Sequence, residues 1–209
     1  HTVPNMAALL KNTLGITNYE CFAYDILFAC PGWLQAAIQA HQAIQSGDAE
    51  NVLVVGIEIA SRLLDPHDLD SMILADGCGA VVLSKSDENK GVLSCATFSH
   101  AQSDVSNIYL GKSNNPEQDG NCWFKMNGKE VYRYATTWVP KVIHKALEKA
   151  NLKVSDIDMF LFHQANDKLI HAVAKNLAEL YETDLANFDG KLPMTIQFLG
   201  NTSVATIPT

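Results

Sequence analysis

The 209-residue chain lacks any apolar run long enough to cross a membrane as a helix, which argues against a membrane protein. It also lacks a basic excess: the net charge is −8, so nucleic acid is not an expected partner. No basic and apolar leader opens the chain at residues 1–4. The composition, with 47% hydrophobic and 18% charged residues, predicts one globular domain or part of a larger one.

The cysteines are odd in number and scattered, and no two form a Cys-x-x-Cys pair. They are Cys21, Cys30, Cys78, Cys95 and Cys122. This pattern disfavours a disulfide framework and a zinc site. Reduced thiols in a cytoplasmic protein are the simpler interpretation.

Helical and strand-like patterns alternate along the chain, which predicts an α/β fold with a layered sheet. Helices are predicted at 6–14, 34–44, 128–150 and 166–180. Strands are predicted at 21–29, 51–59, 80–83, 91–98, 159–163 and 193–199, and a polar loop with a short hairpin at 99–123. The uniformly apolar run at 51–59 indicates a strand buried on both faces, between layers of helices.

Cys30 stands where an apolar run gives way to Pro31 and a helical pattern. Proline suits the first turn of a helix. The N-terminus of that helix would favour a thiolate, the reactive form of cysteine, and its N–H groups could stabilise an oxyanion. The alternative is a buried cysteine that acts as a small apolar residue.

His163 and Asn201 also follow apolar runs. His163 ends a predicted strand, where sites gather in α/β sheets, although a histidine there can be merely hydrogen-bonded. Asn201, after Gly200, is by itself typical of a turn. Together with Cys30 they are a candidate nucleophile, base and oxyanion donor.

Two further patterns suggest sites but are better explained structurally. Gly77 and Gly79 lack the third glycine of a phosphate loop and precede a strand, so they predict a tight turn. Asp65, Asp68 and Asp70 lack the calcium-loop pattern and predict a solvated acidic loop.

Six short segments follow one another in the order of a known family: 25–32, 54–62, 75–83, 126–131, 163–166 and 200–203. They resemble beta-ketoacyl-acyl-carrier-protein synthase III, of the thiolase superfamily. The resemblance implies a layered α/β/α/β/α fold in two partial halves. Residues 1–125 would carry Cys30, and residues 126–209 would carry His163 and Asn201. It also implies that both ends of the family's usual length are absent here.

The resemblance implies a ping-pong condensation in the initiation of fatty acid biosynthesis. Cys30 would take an acyl group from acyl-CoA. His163 and Asn201 would stabilise the enolate formed as a malonyl group on acyl carrier protein loses carbon dioxide. The enolate would attack the acyl-cysteine and give a 3-oxoacyl thioester. The family implies no cofactor and no metal, because acyl-CoA and the malonyl carrier are substrates, and it implies a homodimer.

Other positions take roles from the same resemblance. Asn166 matches a position near the pantetheine arm. Lys168 stands where the family often has an arginine that faces the acidic carrier protein, although an exposed helix lysine is a simpler explanation. Trp33 replaces a common phenylalanine beside the acyl pocket, and we expect it to alter chain-length preference. Residues 181–192 resemble an insertion.

Other functions remain open at this point. A related condensing enzyme of specialised metabolism would keep the fold and change the substrates. A homologue without catalysis is a further alternative. A papain-like cysteine protease also has its catalytic residues in the order Cys, His, Asn along the chain. The separation of 133 positions from Cys30 to His163 falls within its range of about 130–150, but its local cysteine signature is absent here.

Overall fold

The computed structural model describes residues 3–88, 90–102, 104–118 and 122–209. Its α-helices are α1 (Met6–Thr13), α2 (Gly32–Ser46), α3 (Gly128–Ala150), α4 (Asp167–Leu180) and α5 (Ile196–Leu199). Its strands are β1 (Asn51–Glu58), β2 (Gly77–Ser84), β3 (Ile108–Gly111) and β4 (Trp123–Met126). Within these described ranges, no helix is both long and apolar enough to span a membrane.

Strands β1 and β2 form an antiparallel pair that carries α2 on one face. Their register runs from Asn51 opposite Ser84 to Glu58 opposite Gly77. The strand predictions at 51–59 and 80–83 are therefore confirmed. Burial on both faces is wrong for the described chain, because the cross-strand pair Leu53 and Val82 is exposed.

Three other predicted strands, 21–29, 91–98 and 159–163, have no regular structure. A strand needs a neighbouring backbone with which to exchange hydrogen bonds, and no described residue forms a ladder with them. Several of their apolar side chains, among them Leu27, Leu93 and Leu161, are exposed. The predicted strand at 193–199 is also wrong, since its second half forms α5.

The polar loop predicted at 99–123 contains β3, which pairs antiparallel with β4. The predicted hairpin is therefore present as a short ladder from Ile108 opposite Met126 to Gly111 opposite Trp123. Residues 103 and 119–121 of this loop lie outside the described residues, as do residues 1 and 2.

Helices α3 and α4 pack together and cover the main apolar core. Helix α3 has the bounds predicted from its pattern, and α4 begins one residue after its predicted start. The core centres on Leu177 of α4, with Phe160 and Phe188 stacked at a ring-centroid distance of 5.3 Å. Phe160 lies three residues before His163, so this packing anchors the segment that leads into the histidine.

The acidic loop is not solvated as predicted. Asp65 is completely buried, and Lys125 of β4 donates to it at 2.6 Å and to Asp68 at 2.7 Å. Burial alone would raise the pKa of Asp65. The hydrogen bonds it accepts outweigh that effect and hold the pKa well below its usual range. The prediction failed for Asp65 and Asp68 because their cationic partner lies far along the chain; Asp70 is exposed, as predicted.

Candidate active site

A sharp turn places Cys30 at the start of α2. Ala29 adopts a φ of 50°, in the left-handed region, and the Gly32 amide donates to the Ala29 carbonyl at 2.8 Å. Pro31 occupies the N-cap position, one residue before the first turn for which it was predicted. Non-glycine residues hold a positive φ at a cost, and such strain is common where a side chain must be aimed.

The Cys30 sulfur lies 3.5 Å from the Ser203 hydroxyl oxygen. Burial raises the pKa of the Cys30 thiol, and the Glu58 carboxylate adds to the rise. The hydrogen bond with Ser203 acts in the opposite direction without cancelling it. The net rise in the pKa of Cys30 makes the thiol, and not the thiolate, the main form near pH 7 before substrate binds.

Asn201 is fixed by hydrogen bonds on its backbone and its side chain. Its amide donates to the Ile73 carbonyl at 2.8 Å, and its carbonyl accepts from Ala75 at 2.9 Å. Its Oδ1 accepts from the Ser203 amide at 2.9 Å. This orients the side chain so that Nδ2, which donates to none of the residues described here, is the end available to a ligand oxygen.

His163 contacts the same part of the chain. Its Nδ1 lies 2.5 Å from Oγ1 of Thr206, and that hydroxyl also lies 3.0 Å from the Ser203 carbonyl. Burial lowers the pKa of His163 to about 4, so the ring is neutral near pH 7. A neutral imidazole is a hydrogen-bond donor at one nitrogen and an acceptor at the other.

The turn 203–206 thus connects the predicted residues that lie far apart in sequence. The side chain of Ser203 contacts Cys30, its amide donates to Asn201, and its carbonyl lies 3.0 Å from the Thr206 hydroxyl, which also contacts His163. Sequence reasoning did not single out Ser203 or Thr206. The pair of hydroxyl residues directly after Asn201, Thr202 and Ser203, was a signal for Ser203, whereas Thr206 stands apart from it in the sequence.

Gly77 and Gly79 bring this turn close to the sheet. They lie within β2, so the prediction of a tight turn before the strand is wrong. A Cβ at position 77 would lie 2.5 Å from the Thr202 side chain, and a Cβ at position 79 would lie 2.6 Å from the Pro208 backbone. The glycines therefore allow the chain that carries the site to pack directly on β2.

Gln164 is a buried polar residue that sequence reasoning also passed over. Its Nε2 donates to the Phe162 and Pro193 carbonyls at 3.1 and 3.2 Å. Its Oε1 accepts from the Thr195 amide at 2.9 Å. These bonds tie the backbone beside His163 to the segment that enters α5 and then reaches Asn201.

The remaining predicted residues are not joined to this cluster by a hydrogen bond in the described part of the chain. Asn166 caps α4, because its Oδ1 accepts from the Leu169 amide at 2.7 Å. Lys168 is exposed in the first turn of α4. Trp33, in the first turn of α2, packs near Gly56 of β1, and its buried Nε1 has no described partner. No three His, Cys, Asp or Glu side chains among the described residues are grouped so as to hold a metal ion.

Comparisons with known proteins show which family the chain is similar to. The family described as 3-oxoacyl-[acyl-carrier-protein (ACP)] synthase III matches residues 24–101. The C-terminal part of the same family matches residues 147–209. The two matches together cover more than half of the chain and include Cys30, His163 and Asn201.

Individual relatives point the same way. The beta-ketoacyl-[acyl-carrier-protein] synthase III of Staphylococcus saprophyticus is 36% identical over 206 residues, which cover 98% of this chain and 60% of that protein. The crystal structure of the Thermus thermophilus synthase III is 32% identical, with a TM-score of 0.80 over 100% of this chain and 62% of that chain. The priming beta-ketosynthase of the R1128 polyketide pathway is 27% identical, with a TM-score of 0.79, and covers 100% of this chain and 60% of that chain.

The chain thus spans about 60% of the length of the relatives it matches. The structural matches confirm the predicted thiolase-like α/β fold, although the described residues of this chain form two separate pairs of strands. On the family matches, the identity and the fold, the chain belongs to the beta-ketoacyl-[acyl-carrier-protein] synthase III family.

Proposed function

We propose that the protein that contains this chain condenses an acyl-CoA with a malonyl thioester on acyl carrier protein. The reaction releases carbon dioxide and gives a 3-oxoacyl thioester, the first elongation step of fatty acid biosynthesis. The observation that carries the proposal is the turn 203–206, which joins a thiol, an amide and a neutral imidazole in one hydrogen-bonded arrangement.

In the first half-reaction, the Cys30 sulfur attacks the acyl-CoA carbonyl and forms a new thioester. The bond to the CoA sulfur breaks, and the proton lost by Cys30 leaves with the CoA thiol. Because burial raises the pKa of Cys30, the thiol is the main form near pH 7, and it must lose its proton for the sulfur to attack. The α2 amides beyond Cys30 can stabilise the oxyanion that forms on the carbonyl.

In the second half-reaction, His163 and Asn201 donate hydrogen bonds to the thioester oxygen of the malonyl group. Carbon dioxide leaves, and the electron pair of the broken C–C bond forms an enolate on that thioester. The enolate carbon attacks the acyl-Cys30 carbonyl, and the cysteine sulfur leaves as a thiolate, which takes a proton from solvent. Uncharged donors suit this step, because the negative charge they stabilise develops only as the reaction proceeds.

Intact-protein mass spectrometry of the full-length protein tests the first half-reaction. Wild type and Cys30→Ala are incubated with short and medium acyl-CoAs. One acyl adduct is expected on wild type and none on the variant. His163→Ala and Asn201→Ala should still take the acyl group but lose condensation by about 10²-fold or more each. An acyl adduct that persists in Cys30→Ala would contradict the assignment of the nucleophile.

Lys168 is proposed to bind the carrier protein, and Asn166 to lie near its pantetheine arm. The chain as a whole is acidic, so an acidic partner needs a local cation, and Lys168 is exposed five residues after His163. Lys168→Glu is expected to raise the KM for malonyl carrier protein and to leave acyl-CoA loading unchanged. Lys85→Glu is a matched control, because Lys85 is also an exposed lysine. It directly follows Ser84, at the end of β2 that is far from Gly77. An equal effect of both variants would contradict the docking role.

A related condensing enzyme of specialised metabolism is the second candidate. Trp33 favours it, because the family resemblance implies a phenylalanine beside the acyl pocket, and an indole in its place would change the shape of that pocket. The similarity to the R1128 priming ketosynthase fits this alternative as well. Rates across a panel of acyl-CoA lengths should differ between wild type and Trp33→Ala. Coinciding profiles would remove Trp33 as a determinant.

We also propose that the protein forms a homodimer. Large apolar side chains are exposed along the segment that leads to Cys30, among them Phe22, Tyr24 and Leu27. Exposed apolar surface of this kind marks interaction sites. Light scattering of the full-length protein should give twice the mass of one chain, and a monomer at micromolar concentration would contradict the proposal.

A reducing, cytoplasmic location is proposed from the thiols. The five cysteines are free in the described structure, and Cys78 and Cys122 are exposed. Exposed free thiols persist where glutathione keeps them reduced. Thiol titration of protein purified rapidly under blocking conditions should find all of them free, and a native disulfide would contradict the location.

A further inference from the structure

The hydroxyl of Thr206 lies between two groups that compete for its proton. Its Oγ1 is 2.5 Å from Nδ1 of His163 and 3.0 Å from the carbonyl oxygen of Ser203. Thr206 itself is buried. A threonine hydroxyl carries one proton, so it can donate to the carbonyl or to the imidazole, but not to both.

Each choice fixes a different tautomer of the neutral His163 ring. If the hydroxyl donates to the Ser203 carbonyl, its contact with His163 requires a proton on Nδ1, and Nε2 is then a bare acceptor. If the hydroxyl donates to Nδ1, the ring proton is on Nε2, which is then a donor. A doubly protonated ring is disfavoured, because burial lowers the pKa of His163 to about 4.

We propose that Thr206 is a positioning residue that selects the tautomer of His163, by donating to Nδ1 so that Nε2–H faces the malonyl thioester. This inference rests on the proposed function, since only a donor at Nε2 can serve a thioester oxygen together with Asn201 Nδ2. Thr206 does not touch the reacting atoms in this account. Thr206 acts through His163, and when its hydroxyl donates to Nδ1 it no longer donates to the Ser203 carbonyl.

The Ser203 carbonyl links this choice to the other site residues. The same residue contacts the Cys30 sulfur through its hydroxyl and the Asn201 Oδ1 through its amide. Asn201 is therefore oriented by a bond that does not compete for the Thr206 proton. The tautomer of His163 can change while Asn201 stays in place, and the effect of removing the Thr206 hydroxyl should fall on His163 alone.

The test compares Thr206→Val, Thr206→Ser and Thr206→Ala with wild type in the full-length protein. Valine keeps the shape and removes the hydroxyl, and serine restores it. Cys30 acylation, followed by mass spectrometry, should be similar in all four proteins. Condensation should fall about 10²-fold in the valine and alanine variants, as for loss of one oxyanion donor, and should largely return in the serine variant.

Nitrogen NMR of His163 gives a readout that does not depend on turnover. With a malonyl thioester analogue that cannot decarboxylate, wild type and Thr206→Ser should carry the proton on Nε2. The valine and alanine variants should shift the proton toward Nδ1. The same tautomer in all four proteins, or valine at the wild-type condensation rate, would overturn the inference.

The outcomes for the inference and for the proposed function are separate. If wild type takes no acyl group or releases no carbon dioxide, the proposed function fails, and the NMR comparison still decides whether Thr206 sets the tautomer. If the valine variant does not fold, alanine and serine carry the comparison, because the former lacks the hydroxyl and the latter keeps it.

Discussion

The sulfur of Cys30 lies 3.5 Å from the hydroxyl oxygen of Ser203, although 173 positions separate the two residues in sequence. Ser203 holds a φ of 49°, in the left-handed region, within a buried turn. The environment of the nucleophile is therefore set by the end of the chain that also carries Asn201, and changes in that turn should be felt at the thiol.

Removal of the Ser203 hydroxyl should make Cys30 harder to deprotonate. The hydrogen bond from Ser203 lowers the pKa of a thiol that burial raises, so Ser203→Ala is expected to raise it further. The pH dependence of iodoacetamide alkylation, read at Cys30 by mass spectrometry, measures this. Thr202→Val is the matched control, because the buried Thr202 hydroxyl has no described hydrogen-bond partner. An equal midpoint in Ser203→Ala and wild type would contradict the role of Ser203.

The His163 ring should titrate with a midpoint of about 4. The unfolded value is about 6.5, so between these values the unfolded chain binds a proton that the folded chain does not. The stability that neutral His163 contributes is therefore lost as pH falls from about 6.5 towards the folded pKa. NMR titration measures the midpoint, and His163→Asn identifies the resonance. An unshifted midpoint would show that the ring is solvated.

Breaking the ion pair of Asp65 and Lys125 should destabilise the fold more than removing both charges. Lys125→Met leaves a buried carboxylate without its cation, whereas Asp65→Leu/Lys125→Met replaces both partners with apolar groups. Thermal unfolding of the two variants and wild type measures the difference. We expect the lower Tm in the single variant. A double variant that is no more stable than the single one would show that the network is required for more than charge balance.

Phe188→Ala should lower the free energy of unfolding by about 3–5 kcal/mol, because Phe188 is only 3% exposed and its ring stacks on Phe160. Leu185→Ala, in the same short turn but partly exposed, is the matched control and should cost less. Urea unfolding measures both. Equal costs would show that the Phe188 side chain is packed no better than the exposed Leu185.

Local patterns were sufficient for α1 to α4 and for β1 and β2, but not for α5, where a strand was expected. The bounds of α3 follow from its apolar spacing and its polar ends, and both of these signals lie within the helix's own stretch of sequence. The segments 21–29 and 159–163 were predicted as strands from apolar composition alone. Whether an apolar run becomes a strand depends on a hydrogen-bonding neighbour, which composition does not specify.

The site likewise has a part that local sequence predicts and a part that depends on contacts between distant residues. Cys30, His163 and Asn201 each stand in a short motif and could be proposed from sequence. The contacts of Ser203 and Thr206, like the burial of Asp65 by Lys125, join residues that are distant along the chain. Such pairings depend on the three-dimensional path of the chain, and a single sequence considered by itself carries no direct signal for them.

The close approach at β2 has a consequence for large-scale mutagenesis. Even a methyl group at position 77 or 79 would collide with Thr202 or with the Pro208 backbone, on either side of the turn that holds the site together. In a saturation screen scored by enzyme activity, these two glycines would rank beside Cys30 and His163, although they have no functional group to offer. A screen that also scored protein abundance would separate these glycines from the catalytic candidates only if displacement of the turn unfolds the protein. A variant that is abundant and inactive at Gly77 would therefore report on the geometry of the turn and not on chemistry.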